Sequence, residues 1–257
     1  MKKVIYSGAR IDKDHIYIDY TYNHPDDIVD VIEPQMYSRI KGNAIYYFGY
    51  KFNDNASALD RSKFINAIKQ LDDNGLSDDE LEQFIARPLA ELDEIINLYD
   101  IDCLVYPLSN RSPLVSKIIK CINSMTSHEM ARCSFEFVKS APSSLAFDYE
   151  LFESEKGDQQ GYRQMLRYVD EELMPKLHDL DYFSIARDVK PKYRRYIEGF
   201  LNLSSDKDIE KLSKLQGPNI LVVDDINTTG STLNEILRKI GQINKSCNIY
   251  IFTLIGR

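Results

Sequence analysis

The stretch ILVVDDINTTGST, residues 220–232, constrains the fold more than any other part of the chain. Its run of aliphatic residues reads as a strand buried on both faces, as in a parallel sheet. Two carboxylates, Asp224 and Asp225, end that run, and a loop of small polar residues with one glycine follows. A helical period resumes in STLNEILRKI, which makes the whole a strand–turn–helix unit. Such a unit sets both carboxylates at the carboxyl edge of the sheet, where open α/β sheets take their ligands.

The rest of the chain supplies partners for that strand. IDCLVYPL, CSFEFVKSA and NIYIFTLI read as further strands, and SPLVSKIIKCI as a helix with Pro113 in its first turn. Nearer the start, HIYIDYTY and NAIYYFGYKF read as strands separated by turn-forming residues. DRSKFINAIKQL places Phe64, Ile65, Ile68 and Leu71 on one helical face. Ser77 with Glu80 is a capping-box signature opening a further helix, and Pro88 is expected to kink or divide that helix. Residues from about 141 to 217 form a long, charged, partly helical insert without a clear strand. The expected fold is α/β, a parallel sheet flanked by helices, with an N-terminal α+β appendage over 1–95 and the main domain over 96–257.

Composition excludes several classes. A net charge of −8 argues against a protein that holds nucleic acid by general phosphate neutralisation. No apolar run approaches the ~20 residues of a membrane span, and the first residues do not read as a signal peptide. A cytoplasmic location is the expectation. The four cysteines form no CxxC pair, so they read as reduced, buried thiols. Gly-Lys and Gly-x-Gly occur nowhere, which removes a P-loop and a dinucleotide fingerprint. His128-Glu129 lacks the second histidine of a zincin, and there is no G-x-S-x-G elbow.

The chemistry of 224–232 is that of a sugar-phosphate site. Gly230 permits close approach of backbone to ligand, and amides at a helix start point outward. Threonine and serine hydroxyls add donors without charge, so the loop has the ingredients of a phosphate cradle. Carboxylates beside a phosphate accept hydrogen bonds from vicinal hydroxyls or help hold a divalent cation. The bland alternative is a capped strand–turn–helix with no ligand.

ILVVDDINTTGST resembles the signature of type I phosphoribosyltransferases, in which this segment binds the ribose 5-phosphate part of phosphoribosyl pyrophosphate. NTTGSTLNEILRKI and the closing NIYIFTLIGR resemble the ComF-like branch, linked in bacteria to DNA uptake, over about residues 100–257. The zinc ribbon with which ComF-like chains often begin has no counterpart here. The resemblance implies a magnesium-dependent enzyme that transfers ribose 5-phosphate to a nitrogenous base. It implies catalytic roles for Asp224, Asp225, Arg111 and Lys139. It implies substrate binding by Asp224, Asp225, Asn227, Thr228, Thr229, Gly230, Ser231, Thr232, Ser109 and Asn110, with no metal held by protein ligands alone. Arg111 and its loop stand where the family grips pyrophosphate. The insert stands where the family has a mobile catalytic loop, which casts Arg187, Lys190, Lys192, Arg194 and Arg195 as a basic lid ahead of the turn Glu198-Gly199-Phe200. Partners implied are phosphoribosyl pyrophosphate or a related sugar phosphate, a base, and a second copy in a homodimer. A different class remains open: a non-catalytic module sensing phosphoribosyl pyrophosphate or nucleotides, or an accessory in DNA uptake or phage defence that meets nucleic acid.

Overall fold

The computed structural model describes residues 8–12, 15–19, 29–31, 37–40, 44–52, 54, 56–71, 76–109, 112–125, 133–227 and 229–256. Strands β1 (Gly8–Asp12), β2 (His15–Asp19), β3 (Val29–Val31), β4 (Tyr37–Ile40) and β5 (Ala44–Phe52) come first. Helices α1 (Ala58–Ile68) and α2 (Asp78–Leu98) lead to β6 (Cys103–Pro107), α3 (Leu114–Met125) and β7 (Ser134–Lys139). Then follow β8 (Ala146–Phe147), α4 (Tyr149–Lys156), α5 (Tyr162–Tyr168), α6 (Met174–His178), α7 (Ile185–Asp188), β9 (Ile197–Glu198), β10 (Leu201–Leu203) and α8 (Asp206–Lys214). Strand β11 (Asn219–Ile226), helix α9 (Ser231–Ile243) and strand β12 (Asn248–Gly256) complete the described chain. Two compact units result. The first comprises Met1–Glu136, Leu215–Thr228 and Ser246–Arg257, the second Phe137–Lys214 and Thr229–Lys245.

In the first unit four strands run parallel in the order β6-β11-β12-β5. This is the parallel sheet flanked by helices that the aliphatic runs predict. Beyond β5 the sheet turns antiparallel through β3, β1 and β2, and β4 also pairs with β5. Thus β5, which precedes residue 95, lies hydrogen-bonded to β12, with Phe48 opposite Thr253. Register at β11 is fixed on both sides, since Val222 aligns with Ile251 and with Val105. Leu221 and Val223 enter the core built with α2 and α3, while Ile220 and Val222, of the opposite pleat, are equally buried. At the amino edge the N–H of Asn219 donates to Asp102 Oδ2 at 2.8 Å, tying β11 to the start of β6.

Helix α2 opens with the expected capping box, Ser77 and Glu80 each bonding the other's backbone. Of the two outcomes expected at Pro88, a kink or a division, the division does not occur, because the position is compensated twice. Proline has no N–H for the carbonyl of Phe84, four residues back. The hydroxyl of Tyr50 donates to that carbonyl instead, at 2.8 Å. The Tyr50 ring stacks on Phe84 with centroids 4.1 Å apart. Bulk at Pro88 is admitted by Gly49 in β5, where a Cβ would stand 2.6 Å from Pro88 Cβ. Helix α1 buries Phe64 and Ile68 as its period requires, but stops at Ile68, and Leu71 is exposed beyond it.

In the second unit the last residues of β7 pair antiparallel with β10, and β8 pairs with β9. The insert therefore holds three strands where none was expected. Each is two or three residues long, too short for alternation to register. Its core is aromatic: Phe152 meets Phe147 at 5.2 Å and Tyr196 at 5.0 Å, both edge-on. Helices α5 and α6 are joined by a π turn, Val169–Leu173, just ahead of Pro175. Among the described residues no helix is long and apolar enough to cross a membrane.

Tyr50→Phe is expected to lower stability by about 1–3 kcal/mol, because it strands the buried carbonyl of Phe84. In a Pro88→Ala background, where a peptide N–H can reach that carbonyl, the same change should cost less than half as much. Chemical denaturation of the four proteins measures both; equal costs in the two backgrounds would show that the hydroxyl does not replace the missing amide.

Candidate functional site

Asp224 and Asp225 occupy the last turns of β11 and are only 5% and 7% exposed. Two adjacent carboxylates at that depth need compensation, since burial disfavours the charged form. They obtain it differently. Alternation puts Asp225 on the face of Leu221 and Val223. On that face Lys69 Nζ lies 2.7 Å from Asp225 Oδ2. Lys69 caps the C-terminus of α1, where a cation is favoured by the helix dipole, and Gln70 ends the helix with φ at 52°. Asp224 lies on the opposite pleat. Burial, and next the charge of Asp225, push its carboxyl up to about 8. Burial and its neighbour thus both favour the protonated form of Asp224.

Towards β12 and β5 the neighbours of Asp224 are polar but uncharged. Thr253 of β12 stands opposite Asp224, and its hydroxyl shares a 2.6 Å hydrogen bond with Tyr46 of β5. Tyr46 also bonds the Asn227 side chain, and burial raises its phenol above the ordinary tyrosine value. The Asn227 N–H donates to the carbonyl of Ile255 at 2.9 Å, extending the β12 ladder past the carboxylates. Lys69, Tyr46 and Thr253 were not found from sequence. Lys69 carries no local signal, since it sits just past an amphipathic helix like many surface lysines.

In the second unit the chain after Thr229 turns into α9. Gly230 is its N-cap with φ 72° and ψ 3°, a left-handed conformation, and no side chain caps the helix start. The Gly230 carbonyl takes the Asn234 N–H at 2.8 Å. Hydroxyls of Thr229 and Ser231 lie 3.0 Å apart, with Ser231 buried and Thr232 half-buried. An uncapped helix start reached through a left-handed glycine leaves amides for an anion. Deeper in α9, buried Glu235 accepts the N–H of Gly199 at 2.9 Å and Nη2 of Arg238 at 2.8 Å. Arg238 also faces Glu198 at 3.3 Å. The Glu198-Gly199-Phe200 turn is thus held by the helix that follows the candidate phosphate loop.

Of the other expected residues, Ser109 follows β6, and its hydroxyl accepts the N–H of Ser112 at 3.2 Å. Asn110, Arg111 and Thr228 lie outside the described residues. Lys139 ends β7, where its ammonium meets Tyr182 Oη at 2.5 Å and the Tyr182 ring at 4.4 Å. The basic residues of the insert have partners too. Arg187 pairs with Asp188 at 2.7 Å and Arg195 with Glu155 at 2.6 Å. Arg194 donates to the carbonyls of Val189 and Ala186, and Lys190 and Lys192 sit over the rings of Tyr168 and Tyr193. Each basic residue of this segment thus has a partner within the unit.

No group of three or more His, Cys, Asp or Glu side chains that could hold a metal is present among the described residues. A magnesium ion often takes one or two carboxylates and completes its shell from substrate oxygens and water; here Asp225 is the carboxylate that could serve, since Asp224 lies on the opposite pleat with its carboxyl raised by burial.

No protein-family model matches this chain, and no curated protein matches it. It is similar to hypoxanthine phosphoribosyltransferase from Staphylococcus aureus in a tetragonal crystal form, at 14% identity and a TM-score of 0.35. An orthorhombic form of that enzyme gives 16% and 0.33. Both similarities cover 68% of this chain, which spans 65% of the length of those structures.

The raised Asp224 carboxyl sets a pH dependence of stability. Between its ordinary value of 3.8 and about 8, the unfolded chain has released this proton and the folded chain has kept it. Stability contributed by the group is therefore complete below about pH 4 and is lost as pH rises towards 8. Asp224→Asn removes the titration and keeps an acceptor for the Asp225 N–H. Its melting temperature should exceed that of wild type most at pH 8, with the difference closing towards pH 4. A pH-independent difference would show the carboxyl to be unshifted. Gly230→Val should lower stability by about 1–2 kcal/mol or more, because a β-branched residue is forced to a left-handed φ; an unchanged melting temperature would argue against that backbone conformation.

Proposed function

We propose that this chain binds phosphoribosyl pyrophosphate through residues 224–232 and transfers its ribose 5-phosphate group to a nitrogenous base. One observation carries the reading: β11 ends in a buried carboxyl pair and leads in sequence to an uncapped helix with a left-handed glycine. A strand–turn–helix without a ligand gains nothing from burying two carboxyls, one of which burial shifts towards its protonated form. For a hydroxyl-rich ligand the same groups are useful. Asp225 accepts a hydrogen bond from a ribose hydroxyl, and protonated Asp224 either accepts or donates one. The amides opening α9 and the hydroxyls of Thr228, Thr229, Ser231 and Thr232 take the 5-phosphate, turning remote binding into orientation at the anomeric carbon.

In the reaction the bond from the anomeric carbon to pyrophosphate breaks, and pyrophosphate leaves with the electron pair. A base nitrogen forms the new bond and gives up its proton. Negative charge at Asp225 favours the cationic carbon between these events. Arg111, Ser109 and Asn110 are assigned to the departing pyrophosphate, and Lys139 to its charge. Magnesium, held mainly by ligand oxygens, supplies further neutralisation when bound. Membership of the ComF-like branch is proposed on NTTGSTLNEILRKI and NIYIFTLIGR alone.

Asp224→Asn combined with Asp225→Asn should abolish binding of phosphoribosyl pyrophosphate in calorimetry while retaining a cooperative melting transition. Wild-type affinity in that variant would remove the proposal. Tight binding by wild type without pyrophosphate release, across purine and pyrimidine bases, would assign the site to sensing instead of transfer.

A further inference from the structure

The second unit contains a cavity that the phosphoribosyl reading does not use. Its volume is about 370 Å³, and its lining includes Gln160, Gln164, Met165, Tyr168, Lys190 and Lys192. That volume lies at the small end of the range for small-molecule pockets, ~300–1,000 Å³, the size of one nucleotide more than of a large cofactor. Tyr193 also borders it, almost fully buried, and stacks under Tyr168 with centroids 5.4 Å apart. The pair makes a stiff aromatic wall.

The lining carries two ammonium groups and no carboxylate. Lys190 Nζ stands 5.0 Å from the Tyr168 centroid, and Lys192 Nζ 4.8 Å from that of Tyr193. Both side chains are exposed, yet each rests against a ring, which reduces the freedom an anion would otherwise have to remove. Neither ammonium has a carboxylate partner to be displaced among the ion pairs of the described residues. Gln160 and Gln164 present amides that both donate and accept, the complement of a base edge. Met165 and the Tyr168 ring offer a polarisable, apolar surface to a flat heterocycle.

We infer that this cavity binds a nucleotide unit, its phosphate at Lys190 and Lys192 and its base against Tyr168 and Met165 within reach of Gln160 and Gln164. This assignment stands apart from the site at 224–232. The same nucleotide chemistry is offered by a free mononucleotide and by a single strand of nucleic acid.

Calorimetry on the full chain with ADP, inorganic pyrophosphate and oligothymidylates of increasing length tests it. Wild type should bind ADP, and Lys190→Ala with Lys192→Ala should weaken that binding about tenfold or more at an unchanged melting temperature. Gln160→Ala with Gln164→Ala should weaken ADP while leaving pyrophosphate unaffected. The Asp224→Asn, Asp225→Asn variant should bind ADP as wild type does, which separates this cavity from the first site. Affinity that rises with oligonucleotide length identifies a single strand as the source. Equal affinity for ADP and the oligonucleotides identifies a free nucleotide. Absence of ADP binding by wild type overturns the assignment, as does wild-type affinity in the lysine variant. Wild-type ADP affinity in the glutamine variant overturns its base-binding half.

Discussion

Two carboxyl groups side by side at the end of a buried strand set the terms for the first unit. Neither can remain charged at that depth without a partner, and the pleat sends them to opposite faces, so one cation cannot serve both. Asp225 takes Lys69, 2.7 Å away at the end of α1. Asp224 has no such cation on its own face among the described residues, and burial shifts its carboxyl towards the protonated form. The first solution requires α1 to finish over the face of β11 that carries Leu221 and Val223. The helix does so because Phe64 and Ile68 bury there and Gln70 turns the chain away immediately after Lys69. Residues well before the motif in sequence are thereby part of its electrostatics, and β5 adds Tyr46 through its pairing with β12.

A similar rule of local compensation governs the second unit. Glu235 is nearly inaccessible, but it has the Arg238 guanidinium and the Gly199 amide to satisfy it. Burial raises the Glu198 carboxyl beside it, while Arg238 pulls the other way. Arg187 and Arg195 find carboxylates, Arg194 finds backbone carbonyls, and the two lysines find tyrosine rings. Arg194 spends its donors on those carbonyls, whereas the lysines rest on rings, which leave both the positive charge and the ammonium donors open to a ligand. That difference singles out the cavity they border from the remainder of the basic segment.

What was legible in the sequence follows from range. The β11 strand, the α9 helix and the Ser77–Glu80 box are written within a few residues, by period or by reciprocal caps, and the structure has each of them. Gly230 was legible as a point of close backbone approach, but its left-handed conformation is read from the structure. Long-range compensation was not legible. Nothing near Pro88 announces that Tyr50 will supply the missing donor, so a kink or a division of α2 was the natural expectation, and the helix runs on through the proline. Nothing near Asp225 announces Lys69. The strands β8, β9 and β10 were missed because two or three residues cannot display an alternation, and their pairing is decided by partners outside their own segment.

The same pair of carboxyls links stability to binding. A group that folds only as its protonated form destabilises the fold at neutral pH relative to a neutral isostere, so its retention has to be sought in what it does for a ligand. Asp224 is suited to that work, because a hydroxyl entering beside it can receive the acid's proton in a hydrogen bond or donate one to the deprotonated form. The choice is set by pH across a range that includes neutrality. Asp225 is constrained differently: any ligand hydroxyl must share Oδ2 with Lys69 or take Oδ1, which already accepts the Ile226 N–H at 2.6 Å. A ligand bearing an anionic group near that hydroxyl would meet the Lys69 ammonium at the same time, gaining a charge contact that a neutral sugar could not. On the proposed reading, a preference for a phosphorylated ribose over ribose itself would then arise partly at the carboxylate end of the motif and not only in the loop that follows it.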